Sequence, residues 1–218
     1  MPKRALLERR PWLLASLLFG IGYIAVHGSR MPGLYQIAWK GAAVGLLAVY
    51  ALLRHGSRDA KVIALVLGLG AIGDMALEID RTAGAAAFLL GHVAAIGLYA
   101  AHRRERLAPS QAALGIALAV LVPLLAWLLP ADRSAAPAVA IYGAVLGLMA
   151  ASAWTSSFPR YRVGTGALLF VFSDLLIFAR LGPLSASEAA HWLIWPTYYF
   201  GQFLICVGVL STLRERDL

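Results

Sequence analysis

What most limits the fold of this chain is a series of eight apolar runs separated by short charged or Pro/Gly-containing loops. They lie at about residues 12 to 27, 34 to 53, 61 to 79, 83 to 101, 109 to 129, 136 to 154, 163 to 181 and 189 to 212. A helix of about 17 to 25 apolar residues matches the hydrocarbon thickness of a bilayer. No water reaches backbone N–H and C=O groups at that depth, so each run must close its own hydrogen bonds as a helix. The expected fold class is all-α: a polytopic bundle of about eight transmembrane helices, forming a single integral membrane domain over residues 1–218. With 61% hydrophobic and 14% charged residues and a mean hydropathy of +0.75, the chain is too apolar for a soluble domain.

The formal charge of +8 does not point to nucleic acid, because the basic residues sit in short clusters between apolar runs. One set of run ends holds Lys3, Arg4, Arg9, Arg10, Arg54, Arg58, Lys61, Arg103, Arg104, Arg106, Arg160, Arg162, Arg214 and Arg216, which is 14 of the 19 Lys and Arg. Arg30, Lys40, Arg81, Arg133 and Arg180 fall on the other face. Cytoplasmic loops carry the excess of Lys and Arg, so both termini are expected in the cytoplasm and the chain in a cell membrane, read as a bacterial inner membrane. The basic start and apolar run over residues 1–27 resemble a signal peptide, but no A-x-A-like cleavage site follows, so the segment is read as the first span. The one cysteine, Cys206, excludes an internal disulfide and a Cys-rich metal site.

Two of the runs contain an acid. GALLFVFSDLLIFAR (166–180) holds Asp174 after Ser173, and GLGAIGDMALEID (68–80) holds Asp74 after Gly73. An ionisable group within a span costs about 2.5 to 3.5 kcal/mol on insertion scales, so it marks a functional site by default. In the expected topology both acids lie about six residues from the outer end of their span, roughly 9 Å down. Glu78 falls one turn above Asp74 on the same helical face, and Lys40 lies at similar depth in the second run. His92 and Tyr99 in the fourth run, and Tyr198, Tyr199 and Gln202 behind Pro196 in the eighth, complete a polar set that suggests a cavity opening outward. Pro196 loosens its helix and frees a backbone carbonyl. The recurrence of an acid in runs three and seven allows a tandem four-plus-four arrangement. Runs one, five and six are expected to carry little chemistry: Pro123 kinks the fifth, Gly20, Gly22, Gly143 and Gly147 allow close helix approach, and Trp12, Trp127 and Trp154 anchor at the interface.

Each feature has a plainer reading. The acids would then be helix contacts to Lys40 or to an outer Arg, Glu78 would be solvated, and Lys40 would snorkel outward. His92 would be a core histidine bonded to a carbonyl, Tyr99, Tyr198 and Tyr199 would be packing, and His27, His55, His102 and His191 would be solvated at run ends. No H-E-x-x-H, G-x-S-x-G or P-loop is present. Paired acids also suit a transporter or flippase of a small amphiphile or cation. A metal-dependent hydrolase on His92, Asp74 and Asp174, or a purely structural partner protein, are further readings.

At GDMALEID, FLLGHVAAIGLY, GTGALLFVFSDLLI and PTYYFGQFLI the chain resembles the YhhN-like family, whose characterised animal members are lysoplasmalogenases. The resemblance runs from the second span to the eighth, and its most specific stretch is the G-A-L-L-F-x-x-S-D run. Gly41 follows Lys40 where the family usually has Pro, and Ala179 precedes Arg180 where a polar residue such as Asn is expected. The resemblance implies a membrane hydrolase that cleaves the vinyl ether bond of a lysoplasmalogen, with a lysophospholipid as substrate and membrane lipid around it. Catalysis would rest on Asp74 and Asp174. Lys40, Glu78, His92, Tyr99, Ser173, Tyr198, Tyr199 and Gln202 would hold headgroup, glycerol or water. No cofactor, no metal and no obligate protein partner is expected.

Overall fold

The structure, a computed structural model, describes residues 10–26, 29 and 32–216. Lys3, Arg4, Arg9, His27 and Arg30, used above to argue topology or exposure, lie outside the described residues. The helices are α1 (Arg10–Val26), α2 (Gly33–Arg54), α3 (Arg58–Ala76), α4 (Arg81–Ala101), α5 (Pro109–Leu128), α6 (Ala136–Thr155), α7 (Thr165–Arg180) and α8 (Glu188–Arg216). A π-helical turn, Arg160–Gly164, leads into α7. Among the described residues there is no strand. All eight expected helices are present.

Six helical stretches are long and apolar enough to cross a membrane: Gly33–Arg54, Arg81–Ala101, Pro109–Leu128, Ala136–Thr155, Arg160–Arg180 and Glu188–Glu215. Of the other two, α1 is 17 residues long and α3 carries Asp59, Lys61 and Asp74. Large apolar side chains such as Leu18, Ile116, Ile141 and Leu193 are exposed on these helices. That is the surface of a protein solvated by acyl chains, not by water.

Helix starts follow from local donors and acceptors. Ser57 Oγ accepts from the Ala60 amide at 3.2 Å to open α3. Asp80 Oδ1 accepts from Thr82 and Ala83 at 2.7 and 3.1 Å to open α4. Ser187 Oγ accepts from Ala190 at 3.2 Å to open α8. Each satisfies an N–H that has no partner within its own helix.

The chain forms two compact units, Met1–Ala94 with Val209–Leu218 and Ala95–Gly208. The division falls inside α4 and α8. In the first unit α1 meets α2 through Ser16 Oγ, which donates to Ala43 O at 2.6 Å, and through Trp39 Nε1, which donates to Phe19 O at 2.8 Å. Where α2 meets α3, Met75 packs against Gly41: a Cβ there would lie 2.6 Å from Cγ and Sδ of Met75, which would have to shift. In the second unit α7 and α8 meet backbone to backbone. A Cβ on Gly166 would lie 2.6 Å from Gly201 O, and one on Gly201 would lie 2.8 Å from Gly166 O.

Candidate active site

In the first unit Met75, which follows Asp74, packs against Gly41, which follows Lys40. Lys40 Nζ donates to Glu78 Oε1 at 3.0 Å, and the side chains are 14% and 43% exposed. Asp74 is 2% exposed. Its charge acts on Lys40 together with that of Glu78. Tyr23 of α1 lies in the same electrostatic neighbourhood of Lys40, Glu78 and Asp74 and is buried. Lys40 therefore does not reach outward as a lone boundary residue. His92 is buried on α4 in this unit.

The expected position of Glu78 needs correction. The third run was expected to stay helical to residue 79, with Glu78 stacked above Asp74, but α3 ends at Ala76. The amides of Glu78 and Ile79 bond to Met75 O and Ala76 O, a three-residue spacing that tightens the last turn. Glu78 thus reaches Lys40 from a turn beyond the helix end.

In the second unit Asp174 is 6% exposed and its Oδ2 accepts a hydrogen bond from Tyr142 Oη of α6 at 2.9 Å. Phe178, one turn later on α7, meets the Tyr142 ring edge-on at 5.8 Å. Ser173 is buried, and its Oγ donates to Ile194 O at 3.0 Å. Pro196 supplies no amide to the helical ladder. Hydroxyls act on the carbonyls before it: Thr197 Oγ1 donates to Leu193 O and Ile194 O at 2.7 and 3.1 Å. Ser173 uses the same carbonyl, and so ties the acid-bearing turn of α7 to the proline turn of α8.

Tyr198, one turn after Ile194, is buried and meets Phe170 edge-on at 5.2 Å, and Phe170 lies one turn before Asp174. Tyr199 is buried and stacks on Trp195 at 5.9 Å. Gln202 is buried on the same helix. Tyr99 is buried against Phe158 at 6.1 Å, and its hydroxyl has no hydrogen-bond partner among the described residues. Arg180 donates to Ser187 O at 2.9 Å.

The expected residues thus fall into two local sets. Lys40, Glu78 and Asp74 gather in one unit, and Asp174, Ser173 and Tyr198 lie on adjoining turns of the other. Runs one and six were expected to carry little chemistry, yet they supply Tyr23 and Tyr142 to these sets. A single Tyr in an apolar run gives the same sequence signal whether it packs or donates; only the neighbouring helix decides. Among the described residues no three of His, Cys, Asp and Glu gather as a metal site.

The sequence model of the YhhN family matches residues 35–209. Two curated proteins named Lysoplasmalogenase, from Mycobacterium bovis and Mycobacterium tuberculosis, are each 29% identical over 214 residues. Each alignment covers 89% of this chain and 80% of the relative. No solved structure gives a significant match.

Proposed function

The chain belongs to the YhhN family, and from that premise we propose that it is a membrane-embedded hydrolase of lysoplasmalogen-type lysophospholipids. It cleaves their vinyl ether bond to release a fatty aldehyde and a glycerophospho-base. The observation that carries the reading is the burial of Asp74 and Asp174, 2% and 6% exposed, on apolar helices of a chain similar to proteins named Lysoplasmalogenase. In this reading the chain spans a bacterial inner membrane with both termini on the cytoplasmic side, a proposal supported by the Lys and Arg distribution.

Enol ether hydrolysis starts with proton transfer from a carboxylic acid to the distal vinyl carbon. The carbon bearing oxygen becomes an oxocarbenium ion. Water adds to it and gives up a proton to a carboxylate, and the hemiacetal then collapses to aldehyde and alcohol. The chemistry therefore needs one protonated acid and one anionic group, as glycoside hydrolysis does with its two carboxyls. In this reading Asp74 and Asp174 take the two carboxyl roles, and Tyr142 orients Asp174. Lys40 with Glu78 faces the phosphate, and His92 supports it. Tyr99, Ser173, Tyr198, Tyr199 and Gln202 line the path of glycerol, water and alkyl chain.

The test is purified protein in detergent with a lysoplasmalogen, its saturated alkyl ether and its ester analogue, with free aldehyde as the readout. Aldehyde from the first alone supports the reading. A transporter needs a sealed vesicle and would release none in detergent.

A further inference from the structure

One end of the second unit carries two guanidinium groups held by neutral acceptors. The segment after α4 is tied to the segment after α6, since the Arg104 amide donates to Thr155 O at 3.3 Å and the Ser157 amide to His102 O at 2.7 Å. Across this tie Arg104 donates through Nε to Ser156 O at 2.6 Å and through Nη2 to Phe158 O at 3.2 Å. Arg160 opens the π-helical turn, and with the Gln111 amide turned so that its oxygen faces the arginine, the orientation that gives donor and acceptor to both, the two terminal nitrogens donate to that oxygen at 2.7 and 3.1 Å. A guanidinium has five N–H donors, so both arginines keep donors beyond these bonds.

The two charges oppose one another. Burial first, and then the Arg160 charge, hold the Arg104 guanidinium below its ordinary range. Among the described residues no carboxylate forms an ion pair with either arginine. Bracing of the two loops explains the carbonyl bonds of Arg104 but not a second cation set beside it. An oxyanion would relieve the repulsion and take the remaining N–H donors, in the forked geometry that arginine offers to phosphate.

We infer that Arg104 and Arg160, with Gln111 fixing the fork of Arg160, form a binding site for a phosphate oxyanion carried by an anionic phospholipid. The lipid source follows from level. The site lies where α4, α5, α6 and the stretch Arg160–Arg180, all long and apolar enough to cross a membrane, begin or end. Trp154, an interfacial type of residue, packs its ring against Gly164 beside the Cβ of Arg160. Anionic headgroups collect at that depth around basic clusters, and Arg103, Arg106 and Arg162 are exposed on the same segments.

The test uses the full chain in detergent, with binding of phosphatidylglycerol and phosphatidylcholine followed by native mass spectrometry. Wild type should hold phosphatidylglycerol about tenfold more tightly, the scale of one charge-assisted contact. R160Q and R104Q should bring that preference down to the phosphatidylcholine level, while R162Q, at an exposed neighbour, should keep it. Where R104Q fails to fold, by its thermal transition, R160Q carries the comparison. Wild-type preference in R160Q, or an equal loss in R162Q, overturns the site. Titration with inorganic phosphate is the second arm. Lipid retained in its presence supports the lipid source, and displacement by it overturns that assignment in favour of a free anion.

Discussion

Tyr142 on α6 donates its hydroxyl to Oδ2 of Asp174 on α7 across 2.9 Å, so the orientation of this buried carboxyl is set from outside its own helix. A hydrogen bond to a charged group contributes about 1.5 to 3 kcal/mol. Tyr142→Phe keeps the ring contact with Phe178 and removes only the donor. It is expected to lower turnover about 10- to 100-fold and to lower the thermal transition through the loss of that bond. The check is steady-state aldehyde release beside a detergent melting curve.

Lys40 and Glu78 should respond unequally to mutation. Glu78 is 43% exposed, and the bond it shares with Lys40 is partly screened; Glu78→Gln is therefore expected to change stability by less than about 1 kcal/mol. Lys40 is 14% exposed and lies in the field of Asp74 as well. Lys40→Met leaves those acids without its charge and is expected to cost about 3 kcal/mol. Thermal unfolding of the two variants in one detergent measures the difference.

Glycine replacements should separate by position. Gly166→Ala places a methyl 2.6 Å from Gly201 O, a backbone atom that yields only if α7 and α8 part. A cost of about 1 to 3 kcal/mol is expected, with loss of activity as the bond from Ser173 to Ile194 O opens. Gly97→Ala meets nothing within 4 Å and should be neutral. Melting temperature and turnover of the pair decide this.

The loop between α5 and α6 holds a pH-dependent contact. Ser134 donates its amide and its hydroxyl to Asp132, at 2.9 and 2.7 Å, which holds that carboxyl below its ordinary range. A folded-state value below the unfolded one stabilises the protein above the unfolded value, and the contribution is lost as pH falls through the folded value. Ser134→Ala should therefore melt slightly below wild type at neutral pH. The gap should close as pH drops below about 4, the ordinary aspartate value. Melting curves across pH 3 to 7 test the sign.

Much of the fold is legible in the sequence because apolar run length sets helix length in a membrane, and the eight helices begin and end within a few residues of the runs. The end of α3 was not legible, since Leu77 and Ile79 are apolar and continue the pattern while the backbone has already tightened. The π-helical turn before α7 leaves no mark in hydropathy either. In the candidate site, acids in apolar helices are conspicuous, but the tyrosines beside them are not. Tyr142 becomes readable as the donor to Asp174, and Tyr23 as an electrostatic neighbour of Lys40, Glu78 and Asp74, only when the helices pack.

The most direct measurement of the central claim is aldehyde release from lysoplasmalogen by purified wild type, Asp74→Asn and Asp174→Asn, each verified as folded. Both variants are expected to lose at least about 100-fold in turnover, the scale of acid–base catalysis. Near wild-type release by both would contradict the account.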